Sequence, residues 1–199
     1  MALLLDERCV ILHVPKTGGT WVRAACQAAV DGEVVEVGEH HAGLIAVLAE
    51  CGERNPYLAT FVRDPVDWYV SAWMYWRRSG MFPRPPTYPV LEDDDFETTV
   101  RNCMDLIPTG YLTYTVETFA GRDFKGVHHI GRTESLAADL AEVLRRADVG
   151  FDPAALASVA RRQHPTARRG AARRHRPRCR DPHPRGRPRP ALRLPGEMT

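Results

Sequence analysis

The chain has 199 residues and a formal net charge of +2, enough for one domain with a buried core and short of two. Its 44% hydrophobic content excludes wholesale disorder, and no run approaches the roughly 18–20 apolar residues of a membrane helix. The net charge conceals two segments of opposite sign: residues 161–199 hold 13 arginines against Asp181 and Glu197, so the first 160 residues are acidic.

The opening MALLLDERCVILHV is apolar but interrupted by Asp6 and Glu7, and no small-residue cleavage site follows, which argues against a signal peptide. Residues 9–14 (CVILHV) read as a buried strand, followed by a glycine turn and a helix over 20–30. A second strand is expected at 33–37 (EVVEV). A short helix over 42–50 follows, with Leu44, Ile45, Val47 and Leu48 as its packed face. A third strand is expected at 57–62, and then a helix over 65–78 with proline in its first turn, where a missing N–H costs nothing. Strands alternating with helices predict an α/β domain, a three-layer parallel sheet flanked by helices.

After Gly80 the pattern breaks into a proline-rich loop and an acidic run, MFPRPPTYPVLEDDDFE. Helices are expected at 97–106 and 109–119, and a short strand at 126–130. The spacing of Leu136, Leu140, Val143, Leu144 and Ala147 predicts a helix over 133–147, with Thr133 as N-cap and Glu134 in its first turn. Residues 161–199 are nearly all Arg, Pro, Ala, His and Gly, too poor in apolar surface to offset the entropy of ordering. This tail reads as a disordered arm, a nucleic-acid-binding arm or the Arg/Pro-rich product of a reading-frame shift, and nucleic acid is not the expected partner. Cys9, Cys26, Cys51, Cys103 and Cys179 are odd in number and lack a CxxC spacing, which fits reduced thiols in a cytoplasmic protein.

Two segments carry chemistry. HVPKTGGTWVR (His13 to Arg23) lies between a strand and a helix. Its glycines let the backbone approach an anion, the helix start aims N–H groups at it, and Lys16, Thr17 and Thr20 add a charge and hydroxyls. Lys16 precedes both glycines, unlike a Walker A loop, and a glycine turn with an incidental lysine stays open. FVRDPVDWYVSAW places Arg63 at a strand end and Ser71 eight residues on, inside a helix. An arginine at a parallel strand's C-terminal edge suits a phosphate; a local Arg63–Asp64 ion pair is the alternative. His40 and His41 in GEHHAGL have the chemistry of a general base, or belong to a solvated turn. His128 and His129 read as structural, and no ligand spacing supports a metal.

Together PKTGGTW and the Arg63/Ser71 pair resemble the sulfotransferases that use 3′-phosphoadenosine 5′-phosphosulfate (PAPS) and have a P-loop-like fold, with carbohydrate-type members somewhat nearer. The resemblance covers roughly residues 9–150 and is strong only in these two blocks. It implies that Lys16 contacts the bridging oxygen between phosphate and sulfur. Thr17, Gly18, Gly19 and Thr20 would bind the 5′-phosphate and Trp21 would stack on adenine. Arg63 and Ser71 would hold the 3′-phosphate. Gly19 departs from the Thr or Asn of many members. GRTESL adds Arg132 as a further 3′-phosphate contact, or as a helix-start partner of Glu134. The spacing of His41 to Arg63, 22 residues, resembles that of the family's catalytic histidine, so His41 is preferred over His40. The expected activity is sulfuryl transfer from PAPS to a hydroxyl or amine of a small-molecule or carbohydrate acceptor, releasing PAP without a metal. A P-loop kinase or hydrolase, or a catalytically impaired PAP(S)-binding remnant, is the alternative.

Overall fold

The structure is a computed structural model and describes residues 2–38, 42–52, 54–80, 95–105 and 107–160. His40 and His41, the proline-rich segment 81–94, Cys179 and the arginine-rich tail therefore lie outside the described residues.

Five strands form one sheet: β1 (Ala2–Leu5), β2 (Cys9–Leu12), β3 (Val34–Val37), β4 (Tyr57–Val62) and β5 (His129–Arg132), in the order β3-β1-β2-β4-β5. β2, β4 and β5 run parallel, whereas β1 is antiparallel to both β2 and β3. The sheet is thus mixed, and the expectation of an all-parallel sheet is corrected. The cause is a tight hairpin: Asp6 and Glu7 take positive φ (47° and 54°), and Arg8 N donates to Leu5 O at 2.9 Å. Asp6, Glu7 and Arg8 thus form a three-residue connection between the paired Leu5 and Cys9, with two left-handed residues making its turn. The residues that break up the apolar opening are the turn that folds it back.

Both faces of the sheet are covered. Alternate strand residues Leu3, Leu5, Cys9, Ile11, Ala59 and Phe61 pack under three helices. These are α1 (Gly19–Ala29), α6 (Leu136–Arg146) and α7 (Pro153–Ser158). The other set, including Leu4, Val10, Leu12 and Leu58, packs against α2 (Leu44–Cys51) and α5 (Tyr111–Ala120). Burial on both faces explains why these strands read as continuous apolar runs. On α2 the packed stripe is Leu44, Val47 and Cys51, at i, i+3 and i+7, whereas Ile45 is 85% exposed and Leu48 lies outward. Four aliphatic residues in five positions exceed one helical face, so composition alone misplaced two of them.

α3 (Pro65–Ser79) follows β4 directly. Asp64 caps it, accepting from Val66 N and Asp67 N, and Gly80 ends it in the left-handed conformation, a pairing of caps that fixes both ends. Its Trp68, Tyr69, Ala72 and Trp76 form an aromatic cluster with Cys103 of α4 (Phe96–Asp105) and with Tyr111. Among the described residues, no helix is long and apolar enough to cross a membrane.

Candidate functional site

The C-terminal ends of β2, β4 and β5 are adjacent, and the two sequence motifs emerge there. After β2 the chain turns through Pro15, Lys16 and Thr17 into α1, with Gly18 as N-cap at φ 93°. Lys16 is also left-handed, at φ 69°, a conformation that costs an L-residue roughly 1–2 kcal/mol. Trp21 N and Val22 N donate to Gly18 O, so the helix begins by bonding backward to its cap. The N–H groups of Gly18, Gly19 and Thr20 have no acceptor among the described residues, leaving the positive end of the helix available to an anion.

The two glycines are needed for different reasons. A Cβ on Gly18 would lie 2.7 Å from Leu136 Cδ2, and its φ is left-handed. A Cβ on Gly19 would lie 2.2 Å from His13 Nε2, so the imidazole of His13 occupies the space of a side chain there. This accounts for glycine at the position where the resembling family often carries Thr or Asn. Gly19→Ala is expected to push the His13 imidazole aside at the helix start, weakening anion binding more than it lowers the unfolding temperature. Anion titration alongside thermal unfolding checks this.

Thr17 is buried and its hydroxyl donates to Val14 O at 2.7 Å, so its side chain staples the loop from within. Thr20 is exposed in the first turn. Trp21 is half-buried against the core and donates from Nε1 to Val159 O at 3.1 Å. Arg63 follows β4 and donates from Nη1 to Lys16 O at 3.4 Å, which brings the two motifs together. Ser71 lies on α3, half-buried. Arg132 ends β5 in register with Val62, next to Arg63, and its side chain is exposed.

Neither local ion pair that the sequence offers forms. Asp64 caps α3 without Arg63, and Glu134 accepts from Asp64 N at 3.0 Å instead of pairing with Arg132. Among the described residues, no carboxylate lies within ion-pairing distance of Lys16, Arg63, Arg78 or Arg132. The ammonium of Lys16 titrates below the ordinary lysine range, chiefly because of burial, with the charges of Arg78 and Arg63 adding to it. Like charges gathered without a counter-charge among the described residues favour an anion.

Thr133 is not the N-cap of α6, which starts after Ser135 and receives no side-chain cap there. Its hydroxyl lies 2.9 Å from both Thr17 O and Val62 O, sharing one proton between them. It therefore ties the glycine loop to the end of β4. Asp139 covers the neighbouring turn, accepting from Arg132 N and Ser135 Oγ. His128 is structural, as expected: Leu58 N donates to its Nδ1 at 2.8 Å and its ring stacks on Tyr57.

Sequence reasoning missed His13, Tyr75, Arg78 and Thr133 at this site. Tyr75 and Arg78 follow Ser71 at i+4 and i+7, a spacing that places all three on one helical stripe. Thr133 acts through contacts across the sheet edge that no local pattern shows, and His13 through its place beside Gly19. A cleft lined by His13, Gly19, Val22, Arg23 and Phe61 runs beneath the loop. Most of its lining is apolar, with residues of both the sheet and α1. Among the described residues, no group of three His, Cys, Asp or Glu side chains is arranged to hold a metal ion. No family model matches the chain, and no curated protein matches it.

Proposed function

We propose that the protein is a PAPS-dependent sulfotransferase with a P-loop-like sulfotransferase fold, moving a sulfuryl group to a hydroxyl or amine and releasing PAP. The observation that carries this reading is the meeting of Lys16 and Arg63, with Arg63 reaching the carbonyl of Lys16 itself. Beside them are the open N–H groups of Gly18, Gly19 and Thr20, and Arg132 ends the neighbouring strand β5 in register with Val62. Two anionic ends of one ligand suit this arrangement: one at the helix start, the other at the arginines beyond β4 and β5.

PAPS supplies the sulfuryl group already activated as a mixed anhydride. The loop N–H groups and the Thr20 hydroxyl bind its 5′-phosphate. Lys16 lies where charge develops as the sulfur–oxygen bond to that phosphate breaks, and its ammonium stabilises it. Arg63, Ser71 and Arg132 take the 3′-phosphate. His41 removes the acceptor proton as the new oxygen–sulfur bond forms. Trp21, at the first turn of α1, offers an indole face to adenine while its Nε1 is held by Val159. The acceptor is a small molecule or a carbohydrate.

The 3′-phosphate distinguishes this reading from an ordinary nucleotide site. PAP is expected to bind at least about tenfold more tightly than adenosine 5′-monophosphate, an increment within that of charge-assisted bonds. Arg63→Gln is expected to abolish that preference. Equal affinity for both nucleotides in the unaltered protein would contradict the reading.

A further inference from the structure

Lys16 is held by a partner that neither motif contains. Its Nζ lies 4.0 Å from the ring centroid of Tyr75 on α3. Trp68, seven residues earlier on the same helix, donates from Nε1 to Pro15 O at 2.8 Å. Residues 68, 71, 75 and 78 recur at i, i+3, i+7 and i+10 and share one face. Contacts from 68 and 75 to successive loop residues, Pro15 and Lys16, show that this face meets the loop. Arg77 turns elsewhere, its guanidinium lying over the Trp73 ring.

The ammonium has reasons to leave. Burial strips its hydration, and Arg63 and Arg78 repel it. A lysine side chain also gains rotamer entropy by swinging into solvent. An electron-rich ring face supplies an attraction that is stronger where water is partly excluded. The left-handed backbone at Lys16 sets the direction in which the side chain leaves the loop, and the ring holds its far end. We propose that Tyr75 is a positioning residue whose ring face holds the Lys16 ammonium beside the glycine loop against the repulsion of Arg63 and Arg78. The contact is to the ring centroid, so the π face and not the hydroxyl is the working part. The consequence for catalysis rests on the sulfotransferase reading; the clamp itself does not.

The composition of the chain makes the test direct, because Lys16 and Lys125 are its only lysines and Lys125 is exposed. In a ¹H–¹³C correlation spectrum of the full chain, the ε-methylene protons of Lys16 are expected upfield of those of Lys125, shifted by the Tyr75 ring current. Tyr75→Phe should keep that shift, and its PAP affinity should stay within about twofold. Tyr75→Leu should bring the two resonances together and weaken PAP binding about tenfold, in keeping with a partly desolvated cation–π contact. Coincident lysine resonances in the unaltered protein would overturn the proposal, as would full PAP affinity in Tyr75→Leu. Should Tyr75→Leu fail to fold, the unaltered and Phe spectra still decide the matter. An upfield Lys16 in a protein that does not bind PAP would remove the cofactor reading and leave the clamp. Coincident resonances in a protein that binds PAP would do the reverse.

Discussion

Lys16→Ala is expected to lower turnover by about 10²–10³-fold, the range for removing one preorganised charge aimed at a developing anion. The fold should be kept. Lys16 makes no ion pair among the described residues, and its carbonyl, which accepts from Arg63, remains in the variant. Alanine bears the same left-handed strain that lysine does at φ 69°, so the substitution adds no backbone cost. The folded environment already disfavours the ammonium through burial and two neighbouring arginines, and removing it should leave the unfolding temperature unchanged or slightly higher. Steady-state kinetics with thermal unfolding as control checks both halves. Normal turnover in the variant would remove Lys16 from the mechanism. The lowered titration range of Lys16 also gives a sign for pH. Below that range the ammonium is charged and, in the proposed reading, attracts the phosphosulfate; as pH rises through it the charge is lost. Ligand affinity should therefore fall at alkaline pH, and Lys16→Ala should flatten that limb of the profile.

His41→Ala is expected to reduce transfer by about 10²–10⁴-fold, the usual contribution of a general base, while leaving PAP affinity unchanged. The reason for the split is chemical. A base acts on the acceptor proton and has no part in holding phosphates, whereas Lys16 and Arg63 are proposed to act on the anion. His41 lies outside the described residues, beyond the end of β3 at Val37, and its assignment rests on its spacing to Arg63. His40→Ala is the control. Full activity in His41→Ala together with loss in His40→Ala would move the role to the neighbouring histidine.

What the sequence disclosed follows the range over which each signal acts. The sequence predicts β4 at 57–62 and the strand spans Tyr57–Val62, because a run with five apolar residues in six lies between Pro56 and the Asp64–Pro65 helix start. Both motifs were legible for the same reason, since a glycine turn and an Asp-Pro cap are local events. β1 was not foreseen: its turn uses Asp6 and Glu7 in place of the usual Asn-Gly or Asp-Gly. The outward Ile45 shows the limit of hydrophobic counting on an eight-residue helix. Thr133 followed the rules for a cap and serves instead to join the loop to β4. That tie spans 116 residues to Thr17, and the Lys16–Tyr75 contact likewise joins distant segments. Only the fold brings those partners together.

The most direct test of the account is calorimetric titration of the purified chain with PAP, with ATP as the comparison ligand. Saturable one-to-one binding of PAP is expected, at least about tenfold tighter than ATP, with loss of that advantage in Arg63→Gln and weaker PAP binding in Lys16→Ala, as charge-assisted contacts to two separate phosphates require. Failure of the folded protein to bind PAP, or equal affinity for PAP and ATP, would contradict it.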